Sequence, residues 1–253
     1  NSTTQSTGVG YNVIKSVTGN ANTALGFGVM ADGAGDGGAN VGIGSRVLQA
    51  LTGGDRNTGI GNYTLSAVTT QNDNVSMGDE AGKKINTSNN VFIGSRAGEK
   101  QAGGSGGNTL IGAWAARGDS DLFSGSYNTV MGSYALGDVL LKDTSRNVYL
   151  GYKAGFEARS VTDNVVIGYE AAYNATGGYQ NVIIGKDAAY SETTGHSNVV
   201  IGMDAATSQA AATYNVVIGR EAMFSSNGAD SRNVVVGYSA LHSDAGATIH
   251  SGN

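Results

Sequence analysis

One five-residue phrase recurs along the whole chain: Asn, then Thr or Val, then a variable residue, an aliphatic residue or Met, and Gly. It starts at positions 6, 22, 40, 57, 74, 90, 108, 128, 147, 164, 181, 198, 215 and 233, with Ser6 standing where the other thirteen units have Asn. The spacing runs from 16 to 20 residues and is most often 17. Self-similarity at a fixed short period marks a solenoid or stacked array, in which a unit cannot bury its own apolar face and relies on its neighbours. The units cover the chain from end to end, so the expectation is a single array over 1–253 of about fourteen units of 16–20 residues.

Composition narrows the class. The 253 residues include 41 glycines, no proline and no cysteine, and only 14% are charged. A helical bundle would not tolerate this, because each glycine costs roughly 1 kcal/mol inside a helix. Collagen needs proline and a strict three-residue period. Without cysteine there is neither a disulfide framework nor a thiolate-held metal. The net charge of -5, from 15 basic and 20 acidic residues, and the lack of a basic cluster argue against a nucleic-acid partner. No apolar run reaches the roughly 18 residues that a membrane-spanning helix needs, so membrane insertion is not expected. The opening "NSTTQSTG" has neither an initiator Met nor a signal peptide, and the expectation is a fragment or a processed product.

Within a unit the pattern reads as strand, turn, strand and loop, giving an all-β fold. With Asn as position 1, side-chain alternation puts positions 2 and 4, such as Val165 and Ile167, on one face and position 3 on the other. Positions 2 and 4 are expected to line the coil interior. Glycine at position 5 (Gly168, Gly185, Gly202, Gly219) supplies a corner, and Ala at position 8 (Ala171, Ala188, Ala205, Ala222, Ala240) suits a narrow interior. Stacked asparagines would pair their amides from coil to coil. Position 3 is then expected to face outward. It is small in the first five units (Gly8, Ala24, Gly42, Gly59, Ser76) and apolar in the next nine, from Phe92 to Val235. A strand apolar on both faces is covered on both faces, and another copy of the chain is the expected cover.

"NVVIGYEAA", "NTALGFGV" and "NTVMGSYAL" resemble the repeats of trimeric phage tail fibres and are similar to the shorter head repeats of YadA-like trimeric autotransporter adhesins. The resemblance implies a homotrimeric fibre, built as a repetitive β-solenoid or β-roll or as a triple β-helix of intertwined chains. It implies location on a virion, or alternatively on a bacterial cell surface, and attachment to a host glycan or outer-membrane receptor. The long loops "NATGGYQ" and "SETTGHS" resemble the phage arrays more closely. No neck, heptad stalk or membrane anchor of the adhesin kind appears in this sequence. Fibres of this kind often lose a C-terminal chaperone by self-cleavage, and "ATIHSGN" is read as the end such cleavage would leave.

Motifs for chemistry are sparse, and neither an enzyme nor a cofactor is expected. "GIGSRVLQALTGG" lacks the full Gly-x-Gly-x-x-Gly spacing of a nucleotide loop. His196, His242 and His250 are too far apart for a local metal motif, and no metal site is assigned. "RGD" at 117–119 reads as coincidence in a glycine-rich chain. Position 7 carries Glu170, Asp187, Asp204 and Glu221 in successive units, with Lys186 and Arg220 beside them at position 6. Such a column could serve a glycan-degrading enzyme or hold calcium, but its regularity reads as a solvated, ion-paired face. Thr7, Thr23, Thr58, Thr109 and Thr129, expected inside and interrupted, do not make an ice-binding array. Receptor contact is expected in the two longest units, at Trp114, Arg117, Asp119, Phe123 and Tyr127, with the C-terminal His242, Asp244 and His250 as the alternative tip.

Overall fold

A computed structural model describes residues 5–101, 103–118, 124–137, 144–191, 193–208, 211–224 and 231–242. The fold is all-β, a parallel β-solenoid with fourteen strands among the described residues. The chain forms two compact units, Asn1–Tyr127 and Asn128–Asn253. The first holds β1 (Thr7–Tyr11), β2 (Thr23–Phe27), β3 (Val41–Ser45), β4 (Thr58–Asn62), β5 (Val75–Met77), β6 (Val91–Ile93) and β7 (Thr109–Ile111). The second holds β8 (Thr129–Met131), β9 (Val148–Leu150), β10 (Val165–Ile167), β11 (Val182–Ile184), β12 (Val199–Ile201), β13 (Val216–Ile218) and β14 (Val234–Val236). Every strand begins one residue after a repeat start, and among the described residues each repeat holds one strand: the second strand expected in each unit is a turn segment instead, as at 169–174, because left-handed residues such as Glu170 and Ala172 bend the return wall.

Within each unit a strand pairs in parallel with the next strand of the same chain, position on equivalent position, as in Val165↔Val182↔Val199. The coils are therefore self-contained within one chain. At the corner, Gly168 has φ +146, and a Cβ there would sit 2.6 Å from the carbonyl carbon of Gly185 in the next coil. Only glycine fits that corner. The coil turns further at left-handed residues, such as Glu170 (φ 50), Ala172 (φ 50) and Gln180 (φ 57) in one repeat.

The asparagines form the expected ladder, buried from Asn22 to Asn215. The Asn198 backbone N–H donates to Asn181 Oδ1 at 2.9 Å, and Asn198 Nδ2 donates to the same oxygen at 3.2 Å. Asn181 Nδ2 in turn donates to the Gly195 carbonyl at 2.8 Å. In the first coil Ser6 takes this place: its Oγ accepts from the Asn22 N–H at 3.1 Å.

The two faces of the strand are the reverse of the sequence expectation. Position 3 points into the coil: Val166, Val200 and Val217 are at most 1% exposed, and Phe92, Leu110 and Tyr149 are fully buried. Positions 2 and 4 point outward, as the buried middle and open flanks of β10, β11 and β12 show. The row from Phe92 to Val235 is thus the core of each chain and not a seam between chains. The small residues at this position are buried too from the second coil on (Ala24, Gly42, Gly59 and Ser76), where large side chains from the return wall fill the space, while Gly8 in the first coil is exposed. At Gly42 a Cβ would meet Val29 Cγ1 at 2.5 Å and Met30 Cε at 3.3 Å, and at Gly59 it would meet Val47 Cγ1 at 2.5 Å. Where position 3 is largest, position 9 is glycine: Phe92 lies against Gly98 and Tyr149 against Gly155. Ala at position 8 lines the interior as expected, with Ala171, Ala188, Ala205 and Ala222 fully buried.

Candidate functional surface

With the core placed at position 3, positions 2 and 4 form an outward face. In the first unit it is made of pairs such as Thr23 with Leu25 and Val75 with Met77, and in the second of Val165 with Ile167 and Val199 with Ile201. Many of these side chains are open, including Leu25 at 48%, Met77 at 46%, Met131 at 41% and Val236 at 64%. Aligned at the strand spacing of about 4.8 Å, position 4 makes an aliphatic row in each unit, while position 2 mixes Thr with Val in the first unit and is Val after Thr129 in the second. Aliphatic rows of this extent are uncommon on a surface that stays in water. Thr7, Thr23, Thr58, Thr109 and Thr129 lie on this same outward face, not inside. They alternate with Val and run beside a row of Val, Leu, Ile and Met, whose uneven lengths do not offer the regular hydroxyl lattice that ice would require.

Trp114 belongs to the regular part of its unit, at position 7 of the corner, rather than to the loop that follows. The guanidinium of Arg117 lies 4.0 Å from the centre of its ring and that of Arg96 5.0 Å from it. Both cations are also paired with acids: Arg117 Nε lies 3.2 Å from Glu99, itself buried, and Arg96 Nε lies 3.1 Å from Glu80. Trp114 and Arg117 therefore come together as one half-buried cation–π group fixed by ion pairs.

Tyr127 stands on another column, immediately before the position-1 asparagine, while Trp114 follows its strand. Its ring covers Gly107, and it is 62% exposed. The same column carries the exposed bidentate pairs Arg56–Asp73 and Arg146–Asp163, each with an Nε–Oδ1 distance of 2.7 Å. The hydrogen bond from Arg56 holds the Asp73 carboxyl below its ordinary range, and Arg146 does the same to Asp163. His242 is exposed and stacks on Phe224 with ring centres 5.0 Å apart. Asp119, Phe123, Asp244 and His250 lie outside the described residues.

The acidic column is half-buried and largely ion-paired. Glu170 faces Lys153 at 4.0 Å, Asp187 is bonded to Lys186, and Glu221 lies 2.9 Å from Arg220. The Lys186 ammonium is stabilised in its charged form chiefly by the hydrogen bond to Asp187. A regular column of engaged carboxylates can neutralise a surface, and the negative charge of Glu170 beside Tyr169 pushes the pKa of that phenol up.

Two features escaped the sequence reading. One is the outward strand face, assigned there to the interior. The other is a set of aromatic ladders: Tyr152 and Tyr169 at position 6, and Phe156, Tyr173 and Tyr190 at position 10. Their signal was present as tyrosines recurring at the 17-residue spacing, outside the five-residue core that anchored the alignment. Among the described residues no helix is long and apolar enough to cross a membrane. Comparison with known proteins finds no matching family model, no similar curated protein and no similar solved structure.

Proposed function

We propose that this chain is a segment of a homotrimeric tail fibre of a phage, carried on the virion, whose work is structural and attaching rather than enzymatic. The observation that carries the reading is the outward strand face, aliphatic along position 4 in both units and along most of position 2 in the second. A partner covering that face over successive coils must itself repeat at the coil spacing, and another copy of the same chain, in parallel, does so. Each Val or Ile transferred from water contributes up to roughly 1.5 to 3 kcal/mol, and only part of that remains for side chains already half covered. Summed over the coils of a unit, the term is still large. The two rows differ in composition, so a ring in which the position-2 row of one copy meets the position-4 row of the next closes by cyclic symmetry. The resemblance of the repeats to trimeric fibres supports three copies.

Attachment is the second half of the proposal. The half-buried Trp114–Arg117 group and the exposed Tyr127 and His242 are the single-chain features that a host glycan or outer-membrane receptor would meet. The alternative setting, the head of a bacterial trimeric surface adhesin, rests on the same face and the same repeats. Sedimentation equilibrium tests the assembly, with an expected mass of three times 25.5 kDa. Retention of the fluorescently labelled protein on a panel of bacterial strains tests attachment. A stable soluble monomer, or an oligomer retained by no strain, counts against the corresponding half.

A further inference from the structure

Outside the strand face, the turn corner of the second unit carries two aromatic rails. At position 6, Tyr152 and Tyr169 stack with ring centres 5.3 Å apart and are 40% and 46% exposed. At position 10, Tyr173 and Tyr190 stack at 5.0 Å, and Phe156 lies tilted by 30° against Tyr173 at 5.1 Å. Position 7 runs between the rails, since Lys153 Nζ lies 5.5 Å from the Tyr152 ring centre, 5.1 Å from that of Phe156 and 5.6 Å from that of Tyr173. The coil does not need these rings to stack. The repeat that starts at 198 has Met203 and Thr207 in the same places and keeps the same strand register.

We propose that this corner is a binding track for one extended glycan strand, a β-1,4-linked hexose chain lying along the stacking direction with one sugar per coil. The proposal rests on the attachment reading and gives it a ligand class and a place. The ring spacing of 5.0 to 5.3 Å is close to the advance of one sugar in such a chain, so successive sugars fall on successive rings, with Tyr152 and Tyr169 each facing one sugar. Helically coiled α-linked chains lose that match after a residue or two. Because the rings take up each other's faces, a sugar meets their edges and hydroxyls. Lys153 with Glu170 between the rails, and Lys186, which follows Tyr169 at position 6, with Asp187, supply donors and acceptors whose charges balance, which favours an uncharged, hydroxyl-rich ligand over an ionic one.

Titration calorimetry on the purified oligomer tests the proposal, with cellohexaose and chitohexaose as probes. One of the two is expected to bind saturably, once per chain, with a dissociation constant below the millimolar range. Replacing Tyr152 and Tyr169 together by Ala should weaken that binding at least tenfold, and Tyr169→Phe, which removes one hydroxyl and keeps the stack, should weaken it severalfold. Arg56→Ala, on a different column, should leave it unchanged. The track is refuted if neither probe binds, if the double variant binds as the parent does, or if the double variant dissociates the oligomer, which would assign the rail to the seam between copies. The two levels separate cleanly: an oligomer that adsorbs to cells but ignores both probes overturns the track alone, whereas a monomer that binds the probe overturns the fibre and keeps the track.

Discussion

The ring of Tyr149 occupies the space that a side chain on Gly155 would fill. A Cβ built at Gly155 falls 2.7 Å from Tyr149 Cδ1 and 3.0 Å from Cζ, and both residues are buried in one coil. The next coil solves the same cross-section differently, with Val166 opposite Ala172. Ala172 has φ 50 and Gly155 φ +60, so the backbone at this position already accepts alanine. Gly155→Ala is therefore expected to destabilise the fold by about 1 to 3 kcal/mol through overpacking. Tyr149→Val leaves a void and should cost a similar or larger amount. The double variant, which copies the neighbouring coil, should recover much of the loss. Denaturant midpoints for the four proteins measure the coupling, and simple additivity of the two changes would refute the complementarity.

The asparagine ladder gives a second expectation. Asn181 Oδ1 accepts both the backbone N–H and the side-chain amide of Asn198, and its own amide donates to Gly195. Asn181→Ala removes all three bonds in a buried site and leaves the Asn198 N–H without its acceptor. The expected loss is several kcal/mol, since each stranded buried group costs roughly 1 to 3 kcal/mol. Asn233 is only half-buried. Its replacement by Ala should lower the melting temperature much less, and equal effects at the two sites would mean that the ladder contributes little beyond the strand pairing itself.

Much of this architecture was legible in the sequence, including all fourteen strand starts, the corner glycines and the amide ladder. The orientation of the strands was misread because alternation separates position 3 from positions 2 and 4 without saying which side is inside. When both faces are apolar, hydrophobicity does not break the tie. Two other signals do. The ladder asparagines at position 1 must be buried to be worth pairing, and position 3 lies on the same side as position 1. Position 3 also varies from Gly42 to Tyr149 in step with its opposite wall, from Leu48 to Gly155, as only a core position must. The proposed receptor contacts were less legible: Trp114 stood out by the length of its unit, although counting from Asn108 puts it at the regular position 7.

The exposed pairs Arg56–Asp73 and Arg146–Asp163 give the chain an acid limb. Both aspartates have folded-state pKa values below the ordinary 3.8, chiefly through the hydrogen bond from arginine. A lowered folded pKa means that the contribution is present above the ordinary aspartate range and is lost as pH falls through the folded value. Replacing both aspartates by Asn should lower the melting temperature slightly at neutral pH, and the gap to the parent should close below about pH 3. Because the pairs are exposed, the neutral-pH difference should also shrink in high salt. A gap that persists in strong acid would assign the effect to something other than these ion pairs.

Neighbouring residues of β12 separate folding from assembly. Val200 is 1% exposed and faces the interior of its own coil, whereas Ile201, one residue on, faces outward. Val200→Asp puts a carboxylate into the core with no partner, at a cost of several kcal/mol, and should unfold the coil whatever the state of association. Ile201→Asp puts the same charge on the outward face. In a lone chain it would be solvated and nearly harmless, but in a seam of three copies it would set three carboxylates close together. The expected outcome is a protein with the parent's far-ultraviolet dichroism that sediments at about 25.5 kDa instead of three times that mass. Its melting temperature should then fall on dilution less than the parent's, since a monomer has no association equilibrium to shift. An Ile201→Asp protein that remains fully assembled would place the seam elsewhere. A Val200→Asp protein that folds as a monomer would reverse the assignment of inside and outside on which the proposed assembly depends.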